Sequence, residues 1–331
     1  MTNTGSNALR TFFLQLLHAC RDSKISGMTI PGEISLFVFL AASILSAQTA
    51  VLKIDHVPIC VAELAPVQRA FASAGLTPDY GGPHAGAGTH MALLGFDDGS
   101  YFELLAPQKP GSADQSSEAK LLAESAGPCM WAVGTSDIKA ELKRLHELGI
   151  ATDGPFPGGR TRPDGQVLKW ETAGIGPGSR GDVVPFLIQD YTAHNLRVQP
   201  SASVHGSALR GIAVVVVGVK DLTSAVALFR KAYGWREPVT EEHKDMNARL
   251  AYFAGTPVVL ATPTAGDGWL AQRLEKFGDG PVAALIGVAD WKAAAKTFPL
   301  SGETVWFGKK VAWFDPEKLQ NLKIGVIAPV Q

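Results

Sequence analysis

The chain has 331 residues, enough for two or more units that each bury a core, and 46% of its residues are hydrophobic. The chain has 30 lysines and arginines and 31 aspartates and glutamates. Because these charges nearly cancel, the composition lacks the excess of positive charge that is typical of nucleic-acid-binding proteins. The three cysteines, Cys20, Cys60 and Cys129, do not make a disulfide framework, and we expect Cys60 and Cys129 to be buried free thiols.

Residues 1–50 are predicted to be a targeting segment and not part of the fold. Residues 34–47 (ISLFVFLAASILSA) are apolar or small throughout, and this run is shorter than the ~20 residues that span a bilayer. It ends in small residues as a signal peptide does, which predicts cleavage after Ala47 and a periplasmic or secreted protein. Met28 is an alternative start to Met1, although the segment that follows Met28 carries no positive charge. The other interpretation is an apolar N-terminal helix on a cytoplasmic or membrane-anchored protein.

After residue 50 a unit of one strand, one helix and two or three further strands recurs four times. The predicted units begin at IDHVPICVAEL (54–64), CMWAVGTSDI (129–138), GIAVVVVGVKDL (211–222) and VAALIGVADW (282–291). Each continues with apolar residues at spacings of three and four, which indicate a helix, and then with apolar segments typical of strands. The sequence therefore predicts an α+β fold of four βαβββ modules in two pairs. Residues 51–192 form the first pair, 193–207 a polar linker and 208–331 the second pair.

The first module carries two side chains that suit metal binding. Side chains on a strand alternate between its two faces, so His56 shares a face with Cys60, and in SYFELLAP Glu103 shares a face with Tyr101. An unpaired carboxylate in an apolar strand is costly to bury, so Glu103 needs a partner or a metal. We predict that His56 and Glu103 meet in one cup.

The strand DHVPICVAEL (55–64) followed by YFELLAP (101–107) resembles the vicinal oxygen chelate superfamily, the glyoxalase and bleomycin-resistance fold. GGPHAGAGTHMALLGFDDGSYFELLAP (81–107) and GGRTRPDGQVLKW (158–170), followed by PFLIQD, are similar to its glyoxalase-like domain branch. This resemblance covers roughly residues 53–215. It implies a curved, cup-shaped sheet that holds a metal and a small substrate in the enzymatic relatives. The third and fourth modules match only in their order of elements, so the first pair is the better functional candidate.

The resemblance also implies where metal ligands lie, with one on the first strand and one on the last strand of each module. These are His56 and Glu103 in the first module, whereas the second module places Leu187 opposite Glu103, with Gln189 on the same face. A third ligand could come from Gln189 or from His90, which is equally a candidate for catalysis or substrate contact. An imidazole and a carboxylate with open positions suit Zn, Fe, Mn or Ni. The alternative is a hydrogen-bonded His56–Glu103 pair without a metal.

Further candidates surround the predicted cup. Arg160 and Arg162 approach the turn 163–165 from one side and could grip a carboxylate or phosphate, whereas a solvated hairpin would pair Arg162 with Asp164 or Glu171. Trp170 is predicted to form the floor of the pocket. The other predicted substrate contacts are His84 and Thr89 at the glycine-rich loop, Tyr101 and Gln189.

Two functions of different class follow. The first is an enzyme in which a metal held by His56, Glu103 and His90 polarises a small oxygenated substrate, as a lyase, isomerase or dioxygenase. Glu103 and His90 are its predicted catalytic residues, which would move the proton. The second is a metal-free protein whose cup sequesters a small molecule, as the bleomycin-resistance relatives do. Either function predicts a small-molecule partner, anionic ligands included, and a monomer or homodimer.

Overall fold

The structure is a computed structural model that describes residues 52–84, 88–109, 118–178 and 180–329. The predicted targeting segment and its cleavage position lie outside these residues. No helix in the described ranges is long and apolar enough to cross a membrane.

The first module has the predicted order of elements. Its elements are β1 (Ile54–Cys60), α1 (Leu64–Ser73), β2 (Asp79–Pro83), β3 (Thr89–Gly95) and β4 (Tyr101–Pro107). Helix α1 buries Leu64, Val67 and Phe71, whose spacings of three and four place them on one side. This apolar stripe packs the helix against the sheet.

The second module repeats this order after two short elements. These are α2 (Ala119–Ala123) and β5 (Gly127–Pro128). The module itself consists of β6 (Ala132–Gly134), α3 (Ile138–Glu147), β7 (Thr152–Thr161), β8 (Val167–Ile175) and β9 (Phe186–Asp190). Helix α3 begins after Asp137, whose carboxylate accepts a hydrogen bond from the backbone N–H of Ala140 at 2.9 Å and so caps the helix.

The second pair follows a short helix, α4 (His194–Arg197). Its first module is β10 (Leu209–Gly218), α5 (Leu222–Tyr233), β11 (Val239–His243), β12 (Ala248–Tyr252) and β13 (Val258–Pro263). Helix α6 (Trp269–Phe277) leads to the last module, β14 (Gly280–Val288), α7 (Trp291–Thr297), β15 (Leu300–Trp306), β16 (Lys309–Phe314) and β17 (Ile324–Ile327).

The modules form two curled mixed sheets with the same strand order. The first sheet runs β2-β3-β4-β1-β6-β9-β8-β7 with β5 also paired to β1, and the second runs β11-β12-β13-β10-β14-β17-β16-β15. Within a module the first and last strands are parallel, as in β1 with β4 and β10 with β13. The two first strands of a pair are antiparallel neighbours, as in β1 with β6. The predicted fold of four βαβββ modules in two pairs is confirmed.

The two sheets bury a shared apolar core between them. Val57 and Ile59 of β1 belong to it together with Val215 and Val217 of β10, and all four side chains are fully buried. The opposite faces of the sheets line two cups. The second cup is filled by apolar side chains, including the fully buried Trp306. The first cup is therefore where polar chemistry can take place.

The prediction that Cys60 and Cys129 are free thiols is wrong, because they form a disulfide. Strand β5 pairs with the end of β1, with Cys60 opposite Gly127, and this brings the two cysteine Cα atoms to 5.8 Å. That distance is within the usual range for a disulfide. The bond crosslinks the two modules that build the first cup.

Candidate active site

The first cup encloses a cavity of about 340 Å³, lined by side chains of both modules of the first pair. This is at the lower end of the ~300–1,000 Å³ typical of small-molecule sites. His56, Glu103, Tyr101 and Thr89 line it, as do Arg160 and Trp170. Because His84 also lines it, the cavity brings together seven of the side chains that the sequence analysis selected.

His56 is held in one orientation by its neighbour in the chain. A register shift between β1 and β6 at Asp55 forms a bulge, which lets two consecutive side chains interact. The carboxylate of Asp55 lies 2.6 Å from His56 Nδ1. Burial alone would raise the pKa of Asp55, but the hydrogen bond from His56 and the charge of Arg197 hold that pKa well below its usual range. Because an ionised carboxylate can only accept, Nδ1 carries the proton and Nε2 faces the cup.

Glu103 lies between two histidines. Glu103 is only 7% exposed. Its Oε2 lies 3.6 Å from His56 Nε2, and its Oε1 lies 3.3 Å from His84 Nε2. Burial alone would raise the pKa of Glu103, but the hydrogen bond and charge of His84, with the charge of His56, lower it overall. Glu103 is therefore ionised at neutral pH despite its burial.

His84 reaches Glu103 from the end of β2. Its backbone N–H donates to the carbonyl oxygen of Thr89 at 2.9 Å, and its Nδ1 is hydrogen-bonded to Thr89 Oγ1 at 3.0 Å. The His84 side chain is 23% exposed, more than those of His56 and Glu103. His84 thus links the buried carboxylate to the mouth of the cup.

Arg197, which the sequence analysis did not select, anchors the back of the site. Its guanidinium donates to both carboxylate oxygens of Asp55 at 2.9 and 2.8 Å and to both of Asp190 at 2.7 and 2.8 Å. It also donates to the hydroxyl of Tyr101, whose ring stacks on His56 at 4.7 Å. Helix α4 positions this arginine, which is 4% exposed. Arg197 therefore fixes the two residues that contact the His56 ring, Asp55 and Tyr101.

One group of side chains in the described ranges brings three potential metal ligands within 4.8 Å of one another: Asp55, Asp190 and His194. This group does not fit a metal. Arg197 already occupies both carboxylates. His194 Nδ1 lies 3.0 Å from Asp190 and Nε2 lies 2.9 Å from the carbonyl oxygen of Gly99. His194 Nδ1 also lies 3.0 Å from a terminal nitrogen of Arg197, so both ring nitrogens already have protein partners. The group is an ion-pair network.

His56 and Glu103 fit a metal better. In its neutral form His56 carries its proton on Nδ1 beside Asp55, which leaves Nε2 able to bind an ion next to the ionised carboxylate of Glu103. An imidazole that donates its other N–H to a carboxylate is the usual arrangement of a metal-binding histidine. The donors of the cup are therefore suited to a divalent cation.

His90, a predicted third metal ligand, does not line the cup. On β3, Thr89 and Met91 line the cavity, so the intervening His90 points to the other face, where its ring lies 6.0 Å from that of Tyr80. Gln189 is also on the wrong face, because Ile188 lines the cavity while Gln189 Oε1 accepts from the backbone N–H of Ile138 at 2.8 Å. Leu187 and Gln189 are predicted to lie on the cup side of β9, whereas the structure places Phe186 and Ile188 there. A shift of one residue moves every side chain of a strand to its other face.

Of the two arginines predicted to grip an anion at the cup, only Arg160 lies there. Arg160 lines the cup, but Arg162 lies in an outer cleft, where it pairs with Asp164 at 3.1 Å and donates to the carbonyl oxygen of Leu196 at 3.0 Å. Arg162 therefore follows the alternative interpretation, that of a solvated hairpin. Arg180, which the sequence analysis missed, lines the cup instead.

Comparisons with known proteins identify the family. The model of the glyoxalase-like domain family matches residues 54–234, and no curated protein matches the chain. A crystal structure of a hypothetical protein from Staphylococcus aureus has a TM-score of 0.54 at 16% identity, over 84% of this chain and 99% of that one. This likeness concerns the fold, and it extends over both sheets.

Smaller structures match part of the chain. Methylmalonyl-CoA epimerase from Mycobacterium tuberculosis is 19% identical with a TM-score of 0.33, over 41% of this chain and 96% of its own. The epimerase from Streptomyces coelicolor is 22% identical with a TM-score of 0.32, over 37% of this chain and 99% of its own. Because the family match spans more than half of the chain, the protein belongs to the glyoxalase-like domain family of the vicinal oxygen chelate superfamily.

Proposed function

We propose that the protein is a metal-dependent lyase or isomerase that acts on a small oxygenated substrate in the first cup. The observation that carries this proposal is one buried, ionised carboxylate placed between two imidazoles. Nδ1 of His56 is held by Asp55 and Nδ1 of His84 by Thr89, so both Nε2 atoms are directed at Glu103. Such an arrangement suits both cation binding and proton transfer.

His56 Nε2 and Glu103 Oε2, 3.6 Å apart, are the atoms that would hold the ion. A bound Zn, Fe, Mn or Ni ion supplies a Lewis acid that polarises a carbonyl or vicinal oxygens. Asp55 supports this pair because a hydrogen bond at Nδ1 fixes the tautomer and the orientation of the ring. With two protein ligands, further positions stay open for substrate oxygens and water.

Glu103 Oε1 and His84 Nε2, 3.3 Å apart, are the atoms that would move a proton. Glu103 is ionised and can accept a proton, and His84 is exposed enough to exchange that proton with water. General acid–base groups contribute roughly 10²–10⁴-fold to such reactions. The presence of this pair favours a lyase or isomerase over a dioxygenase.

Metal content and proton exchange together test the proposal. Protein purified without chelator is expected to hold one divalent ion per chain, and His56→Ala and Glu103→Gln should lose it. His84→Gln should keep the ion but lose deuterium exchange at the carbon next to the carbonyl of small 2-oxo acids in D2O. His90→Ala, on the other face of β3, is the matched control and should keep both. Metal that persists in both His56→Ala and Glu103→Gln would refute the metal site.

A metal-free binding protein is the second candidate, and one observation favours it. The second module contributes Met130, Phe186 and Ile188 to the cavity wall but no histidine, aspartate or glutamate from its described strands, so it adds no metal ligand of these kinds to the cup. A binder would contain no metal at purification, would show no proton exchange, and would still retain a ligand in the cup.

We also propose that the protein is exported. The Cys60–Cys129 disulfide supports this, because structural disulfides persist in oxidising compartments and are rare in the cytosol. Mass spectrometry of the mature protein from a periplasmic or secreted fraction tests the predicted cleavage after Ala47. An intact N-terminus on cytosolic protein would contradict export.

A further inference from the structure

Two guanidinium groups line the cup without a carboxylate partner among the described ion pairs. Arg160 is 6% exposed, and its two terminal nitrogens donate to the backbone carbonyl oxygens of Gly81 and Arg197. A guanidinium has five N–H bonds, so these two contacts leave donors unused. Arg160 is therefore a buried cation that makes no direct ion pair among the described ones, although the charge of Glu103 acts on it.

Arg180 is the second such group. One terminal nitrogen donates to Thr172 Oγ1 at 3.0 Å, and its guanidinium carbon lies 5.5 Å from the centre of the Phe156 ring. Its Nε is buried with no hydrogen-bond partner in the described residues. A buried donor that lacks a partner is costly, so a ligand atom that accepts a hydrogen bond from it would be stabilised there.

An apolar surface adjoins these arginines on the hairpin of β7 and β8. The strand register pairs Arg160 with Leu168, Gly158 with Trp170 and Phe156 with Thr172. Trp170 thus lies along the hairpin between the level of Arg160 and the level of Thr172, which contacts Arg180. Gly158 makes this possible, because a Cβ at this position would overlap the indole ring. Trp170 offers the cup a flat apolar wall.

We propose that the cup binds a small organic acid with a planar apolar body, an inference that rests on the proposed function in taking the first cup as the ligand site. The carboxylate of the acid pairs with Arg180, and the body lies along Trp170. Arg160 adds positive charge on the side of Glu103. Guanidinium groups suit this role because their paired N–H groups match the two oxygens of a carboxylate.

The experiment compares benzoate with its neutral analogue benzamide by isothermal titration calorimetry. The full-length protein is treated with EDTA beforehand, so that a bond between a metal and the carboxylate cannot account for binding. Benzoate should bind at least about tenfold more tightly than benzamide. Equal affinities, or no binding of benzoate at millimolar concentration, would overturn the proposal.

Variants assign the binding to the arginines. Arg180→Gln should weaken benzoate binding about tenfold or more and leave benzamide unchanged. Arg160→Lys, which keeps the buried charge and the fold, should weaken benzoate to a smaller extent. Arg162→Gln, on the same hairpin but outside the cup, is the matched control and should have no effect. Full benzoate affinity in a folded Arg180→Gln protein would overturn the inference.

Metal content measured on untreated samples of the same proteins separates this inference from the proposed function. A chain without metal that still prefers benzoate in an Arg180-dependent way supports the anion site and refutes the metal-dependent enzyme. A chain with a His56-dependent metal and no preference for benzoate supports the metal-dependent enzyme and refutes the anion site.

Discussion

Reduction of the Cys60–Cys129 disulfide should destabilise the protein strongly. The bond joins the end of β1 to the segment that enters the second module, and it spans a sequence separation of 69 residues. Both cysteines belong to the buried cluster beneath the cup. Without the bond, the two modules of the first pair are joined only through the chain, the pairing of β1 with β5 and β6, and their packing.

The loop length sets the size of the effect. A crosslink constrains the unfolded chain by ~3 kcal/mol for a loop of 15 residues and ~4.7 kcal/mol for one of 100 residues. A separation of 69 residues therefore corresponds to about 4 kcal/mol. Since folded proteins are stable by only ~5–15 kcal/mol, this loss is a large fraction of the total.

Urea unfolding with and without dithiothreitol measures the loss, in a Cys20→Ser background that removes the third thiol. The reduced protein should unfold at clearly lower urea. A Cys60→Ala, Cys129→Ala double variant should be insensitive to the reductant, which makes it the control. Two reactive thiols in the unreduced, denatured Cys20→Ser protein would refute the crosslink, and so would identical unfolding curves in the two conditions.

Three further predictions concern the supports of the site. Arg197→Met should cost about 3–5 kcal/mol in urea unfolding because it leaves buried carboxylates without a counter-ion, and a loss below ~1 kcal/mol would contradict the network. An NMR titration of His194 should show a raised pKa, chiefly from its hydrogen bond to Asp190, so its stabilising effect is full below the ordinary histidine pKa and is lost as pH rises through the raised one. Asp190→Asn should lower that pKa, and an unchanged value would contradict the assignment. Gly158→Ala should move Trp170 and change its fluorescence, whereas an unchanged Trp170 in a crystal structure of the variant would contradict the packing.

The module order and the faces of β1 from His56 onward were predictable because side chains alternate regularly along that part of the strand. Val57 and Ile59 face the core between the sheets while His56 faces the cup. The same rule excludes His90 once it is known that Thr89 and Met91 line the cavity, but the sequence alone does not reveal which set faces inward. That choice depends on how β3 pairs with its neighbours.

The supports of His56 depend on tertiary contacts, and for that reason the sequence analysis missed them. Asp190, His194 and Arg197 have the spacing of one helical face, a signal that was available, but the segment after Asp190 was interpreted as a polar linker. Asp55 escaped notice because regular alternation places it opposite His56, and only a bulge brings the two side chains together. The contacts of Arg197 and the bulge at Asp55 become visible only when the pairing of the strands is known.

Anomalous diffraction from crystals of the protein loaded with Mn or Zn is the most direct test of the central claim. The account predicts one strong peak within coordination distance of His56 Nε2 and Glu103 Oε2, with His84 close to the other carboxylate oxygen. A peak between Asp55, Asp190 and His194, or no peak in the cup, would contradict it.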